Sequence, residues 1–210
     1  MRFCIKIVTV VTLIFAAGLG VSHGKQPTVL LLVSPTMNHP TEYGVTRQAL
    51  ESSQCKVIVA CKDPSAKDLN GANIRVDLTL AEVRTRDYDA LAIIGGYSVW
   101  KYMGDPEVNR LLHGFYDSDK LIGAICAGTY VLGKAGLLKG RRVTGPKPEK
   151  LRKYGAQYVG GLVQQDEKII TAKGPSASGA FGKALFEALR KKESLLEERV
   201  CDTSEALNYE

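Results

Sequence analysis

The chain has no internal repeat and no low-complexity tract, and nothing in its 210 residues reads as disordered. It lacks a Gly-x-Gly-x-x-Gly turn after its first strand-like run, and it lacks a phosphate loop. The two common nucleotide signatures are therefore excluded, and no cofactor is called for. There is no Cys-x-x-Cys pair. His39 and His113 stand at no metal-ligand spacing, so no metal is called for. The net charge of +6 is mild, and the bases between Lys134 and Lys153 are scattered, with no interleaved aromatics. That is a solvated face and gives no nucleic-acid pattern. The longest apolar run is short for a membrane span.

That run lies at the start. "MRFCIK" is short and basic, "IVTVVTLIFAAGLG" is apolar, and "VSHGKQP" closes it with small and polar residues. This is the layout of a secretory signal peptide, with Ser22 and Gly24 at −3 and −1 and a mature chain from Lys25. The alternative is an uncleaved anchor. Cleavage predicts a secreted or periplasmic protein with no stable membrane insertion. It removes Arg2 and Lys6, lowering the net charge from +6 to +4, and leaves Cys55, Cys61, Cys126 and Cys201 of five cysteines. Cys55 and Cys61 flank "KVIVA", which holds them too far apart to bridge when extended.

What remains is 45% apolar and long enough for one α/β domain over residues 25–192, with a mixed tail over 193–210. "TVLLLV" (28–33), "KVIVA" (56–60), "DALAIIGG" (89–96) and "KLIGAIC" (120–126) are continuous apolar runs of strand length. Between them stand helix patterns: "TEYGVTRQALESS" with Thr41 as candidate N-cap, a short one in "TLAEVRTRD" capped by Thr79, and "DPEVNRLLHGFYDSD" with Pro106 in its first turn. "AGTYVLGKAGLL" is the next helix. "RRVTG", "AQYV" and "KIITA" read as further strands, and "GPSASGAFGKALFEALRKK" as a loop and an amphipathic helix. The alternation predicts a flavodoxin-like, doubly wound, mostly parallel sheet sandwiched by helices, with ligands at the carboxyl ends of its strands.

Cys126 stands at such an end, in Ala124-x-Cys126-x-Gly128. Small residues flanking a nucleophile between strand and helix form a nucleophile elbow. The helix N-terminus behind it favours thiolate. Gly95 and Gly96 end the neighbouring strand. Their N–H groups, with that of Ala127, are candidates for an oxyanion hole. From the residues alone, Cys126 is equally well a small buried core residue.

"YDALAIIGG", "LIGAICAG", "KGRRVTGP" and "IITAKGPSAS", in this order and spacing, resemble the PfpI superfamily, with its glutamine amidotransferase-like fold. The resemblance spans Pro27 to Lys192. It implies that Cys126 is the reactive centre and that Glu42, in "PTEYG", hydrogen-bonds the sulfur with a raised pKa. By itself Glu42 is as well an exposed first-turn acid. Histidines that members carry after the cysteine or after the following strand are replaced here by Ala127 and Gly145, which argues against a Cys-His peptidase. His39, in the first loop, is a pocket candidate or a solvent-exposed residue. His113 reads as structural. Tyr97 and Trp100 wall the pocket or pack ordinarily, and "GPSAS" borders the site or caps a helix.

The resemblance implies a homodimer acting on a small aldehyde such as methylglyoxal or on a glycated substrate. The alternatives are a redox or stress sensor that oxidises Cys126, and a chaperone-like binding protein.

Overall fold

The computed structural model describes residues 25–206; the predicted signal segment, 1–24, lies outside the described residues. In chain order the elements are β1 (Thr28–Leu32), α1 (Pro40–Ser52), β2 (Lys56–Cys61), β3 (Ala66–Lys67), β4 (Asn73–Ile74), β5 (Leu78–Thr79) and β6 (Ala90–Ile93). There follow α2 (Pro106–Asp117), β7 (Leu121–Ile125), α3 (Gly128–Lys134), β8 (Arg142–Val143), α4 (Pro148–Lys153), β9 (Gln157–Tyr158), β10 (Val163–Asp166), β11 (Ile169–Ala172) and α5 (Ser178–Ala206).

The main sheet has seven strands in the order β10-β11-β7-β6-β1-β2-β5. All neighbours are parallel except the edge pair β10–β11. β1 pairs with β2 on one side and β6 on the other, so the winding reverses between β1 and β6. Loops leaving the carboxyl ends of these two strands diverge there and leave a crevice.

Strand alternation divides the apolar residues between two cores. Leu30, Leu32, Leu91, Ile93, Ile122 and Ala124 face α2, α3 and α4, packing with Val108, Leu111, Phe115 and Leu132. Val29, Leu31, Ala90, Ala92, Leu121 and Ile125 face α1 and α5, with Leu50, Phe181 and Leu185. Both faces are covered, which is why the strands read as unbroken apolar runs.

Three local expectations are corrected, and the tail after residue 192, expected to be helical in part, continues the last helix. α1 begins at Pro40, and His39, rather than Thr41, is its N-cap. Proline lacks the N–H that a first helical residue cannot use, and its φ is already helical. "TLAEVRTRD" forms two separate 3₁₀ turns, Leu80–Glu82 and Thr85–Asp87, because Val83 is extended at φ −71° and ψ 123°. The Thr79 cap survives, reciprocated by Glu82. β8 and β9 pair only with each other, outside the main sheet, and β10 is an edge strand absent from the sequence reading. α5 runs unbroken past residue 192 to Ala206. Cys55 and Cys61 are free and buried.

Gly123 in β7 is a packing requirement. A Cβ there would lie 2.8 Å from Phe181 Cζ and 3.0 Å from Leu185 Cδ2. Gly123→Ala is therefore expected to overpack the α5 face and destabilise the protein by about 1–3 kcal/mol, read as a lowered thermal midpoint by circular dichroism.

Candidate active site

Three chain segments meet at the carboxyl ends of β1, β6 and β7. The first is the loop from Ser34 to His39. Asn38 is wholly buried and stitches it together. Its Nδ2 donates to the carbonyls of Ser34 (2.6 Å) and Lys67 (2.9 Å), and its Oδ1 accepts from the Ser34 N–H at 2.9 Å. Ser98, beyond β6, donates to the Thr36 carbonyl and shares a 3.0 Å contact with the Thr36 hydroxyl. These bonds fix the loop that launches α1, and with it Glu42 in the helix's first turn.

The second segment is the elbow. Cys126 has φ +53°, a left-handed conformation that costs a side-chain-bearing residue about 1–2 kcal/mol. The surroundings enforce it. The Cys126 N–H continues the sheet ladder to the Ala172 carbonyl at 3.0 Å, while its carbonyl accepts from the Thr129 N–H and, at 2.7 Å, from the Thr129 hydroxyl. Gly128 must be glycine, since a Cβ there would meet the Ile93 carbonyl at 2.9 Å. The strand thus ends, turns and becomes helix within two residues, presenting Sγ above the sheet.

The third is the glycine pair. A Cβ on Gly95 would fall 2.3 Å from Glu42 Oε2 and 2.9 Å from Cys126 Cβ. Gly95 is bare so that the carboxyl can lie across it against the cysteine. Its N–H faces Glu42, and its carbonyl accepts from the His39 N–H at 3.2 Å. Gly96, at φ +140°, packs against the backbone of Met37 and Asn38. The amide that faces Sγ is that of Ala127.

Glu42 is fully buried, and neither carboxyl oxygen completes a hydrogen bond of good geometry. The groups nearest to doing so are the Cys126 thiol and the Gly95 N–H. Burial pushes the carboxyl up to about 7. Burial and the neighbouring Glu42 push the Cys126 thiol up to about 12, against the smaller pull of the Ala127 N–H. The sequence pointed to a thiolate favoured by the helix; α3 has only seven residues, and its end is outweighed by desolvation and a carboxylate. Between these two values the pair holds one proton, and the sulfur is anionic when Glu42 carries it.

Of the other expected residues, His39 is partly buried and its Nδ1 is enclosed without a partner. Tyr97 and Trp100 are exposed rather than packed, at 72% and 61%. His113 lies on the exposed side of α2. "GPSAS" borders the site, since a Gly174 Cβ would lie 3.8 Å from Cys126 Sγ, and the Ser178 hydroxyl donates to the Pro175 carbonyl as α5 starts. Gly145 is crowded, because a Cβ there would meet Leu151 Cδ1 at 2.7 Å and the Thr129 hydroxyl at 3.0 Å, so a side chain would require those two to shift. Sequence reasoning missed Asn38, whose only signal was a turn-rich "SPTMNHP". Among the described residues no group of three or more His, Cys, Asp or Glu side chains could hold a metal ion.

The raised carboxyl has a consequence for stability. Below the unfolded value of 4.5, Glu42 is neutral in both states and costs nothing. As the pH rises to about 7 the native chain retains a proton that the unfolded chain has lost, so stability falls, and the cost is complete above that. Glu42→Gln is expected to gain on wild type by about 2–3 kcal/mol between pH 4.5 and 8, measured by urea unfolding across that range. A difference that does not change with pH would contradict the buried carboxyl.

Comparison with known proteins places this geometry in context. The chain is 32% identical over 171 residues to the glutathione-independent glyoxalase DJR-1.2 of Caenorhabditis elegans, covering 80% of this chain and 91% of that one. It is 32% identical over 173 residues to the uncharacterized protein MJ0967 of Methanocaldococcus jannaschii, covering 80% and 84%. The crystal structure of a ThiJ/PfpI domain protein from Brachyspira murdochii superposes with a TM-score of 0.76 at 25% identity, over 80% of this chain and 99% of that one. Residues 27–188, which carry every element from β1 into α5 and all of the site, match the DJ-1/PfpI family, and the chain belongs to it.

Proposed function

We propose that the protein hydrolyses small α-oxoaldehydes, methylglyoxal or its adducts, by covalent catalysis at Cys126 with Glu42 as the proton carrier. One observation carries this reading. A buried carboxyl lies against a strained elbow cysteine, and neither of its oxygens completes a hydrogen bond of good geometry. An unpaired buried acid costs stability, and structures keep such groups where chemistry uses them. Similarity to a glyoxalase supports the same class of substrate.

The steps follow from the one shared proton. Sγ adds to the aldehyde carbon, the carbonyl π pair moves to oxygen, and the thiol proton reaches that oxygen through Glu42. The carboxylate then takes the hydrogen of the same carbon as a proton and returns it to the adjacent carbon, while the hydroxyl proton of the first carbon passes to the ketone oxygen, so that the ketone becomes an alcohol and the carbon bonded to sulfur a carbonyl. The product is a lactoyl thioester on Cys126, and one water hydrolyses it to lactate and free thiol. Each step needs Glu42 alternately as acid and base, which a carboxyl near 7 performs at neutral pH. A peptidase is disfavoured: Ala127 follows the cysteine, and Gly145 stands where a second histidine would.

A second reading, oxidation of Cys126 as a sensor, is favoured by the same absence of histidine at positions 127 and 145. The test is methylglyoxal consumption with detection of D- and L-lactate. Wild type should turn over, with kcat/KM rising as pH passes about 7. Cys126→Ala should be inactive, and Glu42→Gln should lose about 10²–10⁴-fold together with the inflection. An inert wild type whose Cys126 still gains oxygen by mass spectrometry would replace the enzyme with the sensor.

A further inference from the structure

Gly95, Gly96, Gly128 and Gly174 stand around the elbow, and the space beside them differs. Where Gly95 would carry a Cβ, Glu42 Oε2 lies at 2.3 Å and Cys126 Cβ at 2.9 Å. At Gly96 the Met37 carbonyl oxygen lies at 2.3 Å, and at Gly128 the Ile93 carbonyl oxygen lies at 2.9 Å. Protein fills those three places. At Gly174 the place is open. Apart from Lys173 and Pro175 on either side, the atoms of the described residues within 4 Å of a Cβ there are those of Cys126, Sγ at 3.8 Å and Cβ at 4.0 Å.

Gly174 is held where it is. It follows β11, whose Ala172 carbonyl accepts the Cys126 N–H at 3.0 Å, and its own carbonyl accepts from the Ala177 N–H at 2.8 Å as the chain turns into α5. The Lys173 N–H before it donates to the Leu162 carbonyl at 2.8 Å. Its backbone is extended, at φ 161° and ψ −159°, which any residue adopts. Neither the backbone nor a packed neighbour therefore requires glycine. A side chain would instead occupy open space at van der Waals distance from the sulfur, where about 3.5–4.0 Å is the optimum between atoms and nothing fits between them.

We propose that Gly174 is the specificity-determining residue of this site: a carbonyl compound reaches Sγ over Gly174, and the substituent on its reacting carbon takes the room that a side chain would fill. The proposal rests on the covalent reading above and names the side from which substrate comes, which that reading leaves open. It also bounds the substrate. With no side chain at 174, the site admits an aldehyde carbon that carries an acyl group, as in an α-oxoaldehyde.

The test compares two reagents that react with the same sulfur, in the full chain at pH 8. With iodoacetamide, Sγ bonds the methylene carbon, iodide leaves with the bonding pair and the thiol proton goes to buffer, so a carbon and its substituent must fit. With hydrogen peroxide, Sγ bonds one oxygen and the O–O bond breaks. Sulfur is oxidised to sulfenic acid, the peroxide is reduced to water, and little room is needed. Both rates are read by mass spectrometry on the peptide carrying Cys126. Gly174→Ala should slow alkylation about tenfold and Gly174→Val further, while peroxide oxidation changes by less than about twofold. Gly179→Ala, whose Cβ would sit in ordinary contact with Val45 Cγ1 at 3.7 Å, should match wild type with both reagents. Alkylation of Gly174→Ala as fast as wild type overturns the assignment. So does an equal loss with both reagents, which would mean that residue 174 acts on the thiol or the fold rather than on the room beside it. Selective loss of alkylation in a protein that makes no lactate from methylglyoxal supports approach over Gly174 and refutes the glyoxalase-type reading. Lactate production with unchanged alkylation does the reverse, and a wild-type Cys126 that resists iodoacetamide overturns both.

Discussion

The site depends on one close approach: the Glu42 carboxyl lying across Gly95 against Cys126. Everything around it either makes room or holds position. Gly95 has no side chain because the carboxyl fills the place where one would be. Gly128 has none because the Ile93 carbonyl comes near from β6, at 2.9 Å from where a Cβ would be. Asn38 anchors the loop that starts α1, and Pro40 begins the helix two residues before the acid. The left-handed backbone of Cys126 is held by bonds to Ala172 and Thr129. Such strain persists only where the surroundings over-determine it, and here both partners of the strained residue are fixed by the sheet and by α3.

The sheet topology explains why these groups meet here. The winding reverses between β1 and β6, so the loops after them part. β7 is β6's other neighbour and delivers Cys126 to the same edge. Two apolar cores, one on each face, pack the strands closely and hold them in place.

The unsatisfied polar atoms are unevenly placed. Those of His39, Glu42 and Tyr130 belong to the residues that launch α1 and α3, next to the elbow; Asn109 on α2 is the other residue of this kind among the described residues. Glu42 and Cys126 share one proton. Desolvation raises both groups, so neither holds a fixed charge at neutral pH, and a small movement of one proton changes the sulfur from thiol to nucleophile.

The sequence by itself determined the class of fold, because parallel strands buried on both faces must be continuous apolar runs, and those runs are visible in "TVLLLV", "ALAII" and "LIGAI". It also located Cys126, because an elbow needs small residues at fixed offsets, and it brought Glu42 forward through a family resemblance. It did not show why Gly95 is glycine or that Gly145 is crowded. Nor did it show that the thiol is raised, where a helix end alone would lower it. Each of these is set by a neighbour from a distant part of the chain: Glu42 for Gly95, Thr129 and Leu151 for Gly145, and burial for Cys126. Periodicity and turn chemistry act between residues close in sequence, whereas desolvation and steric exclusion act between residues close in space, and only the tertiary structure decides which those are.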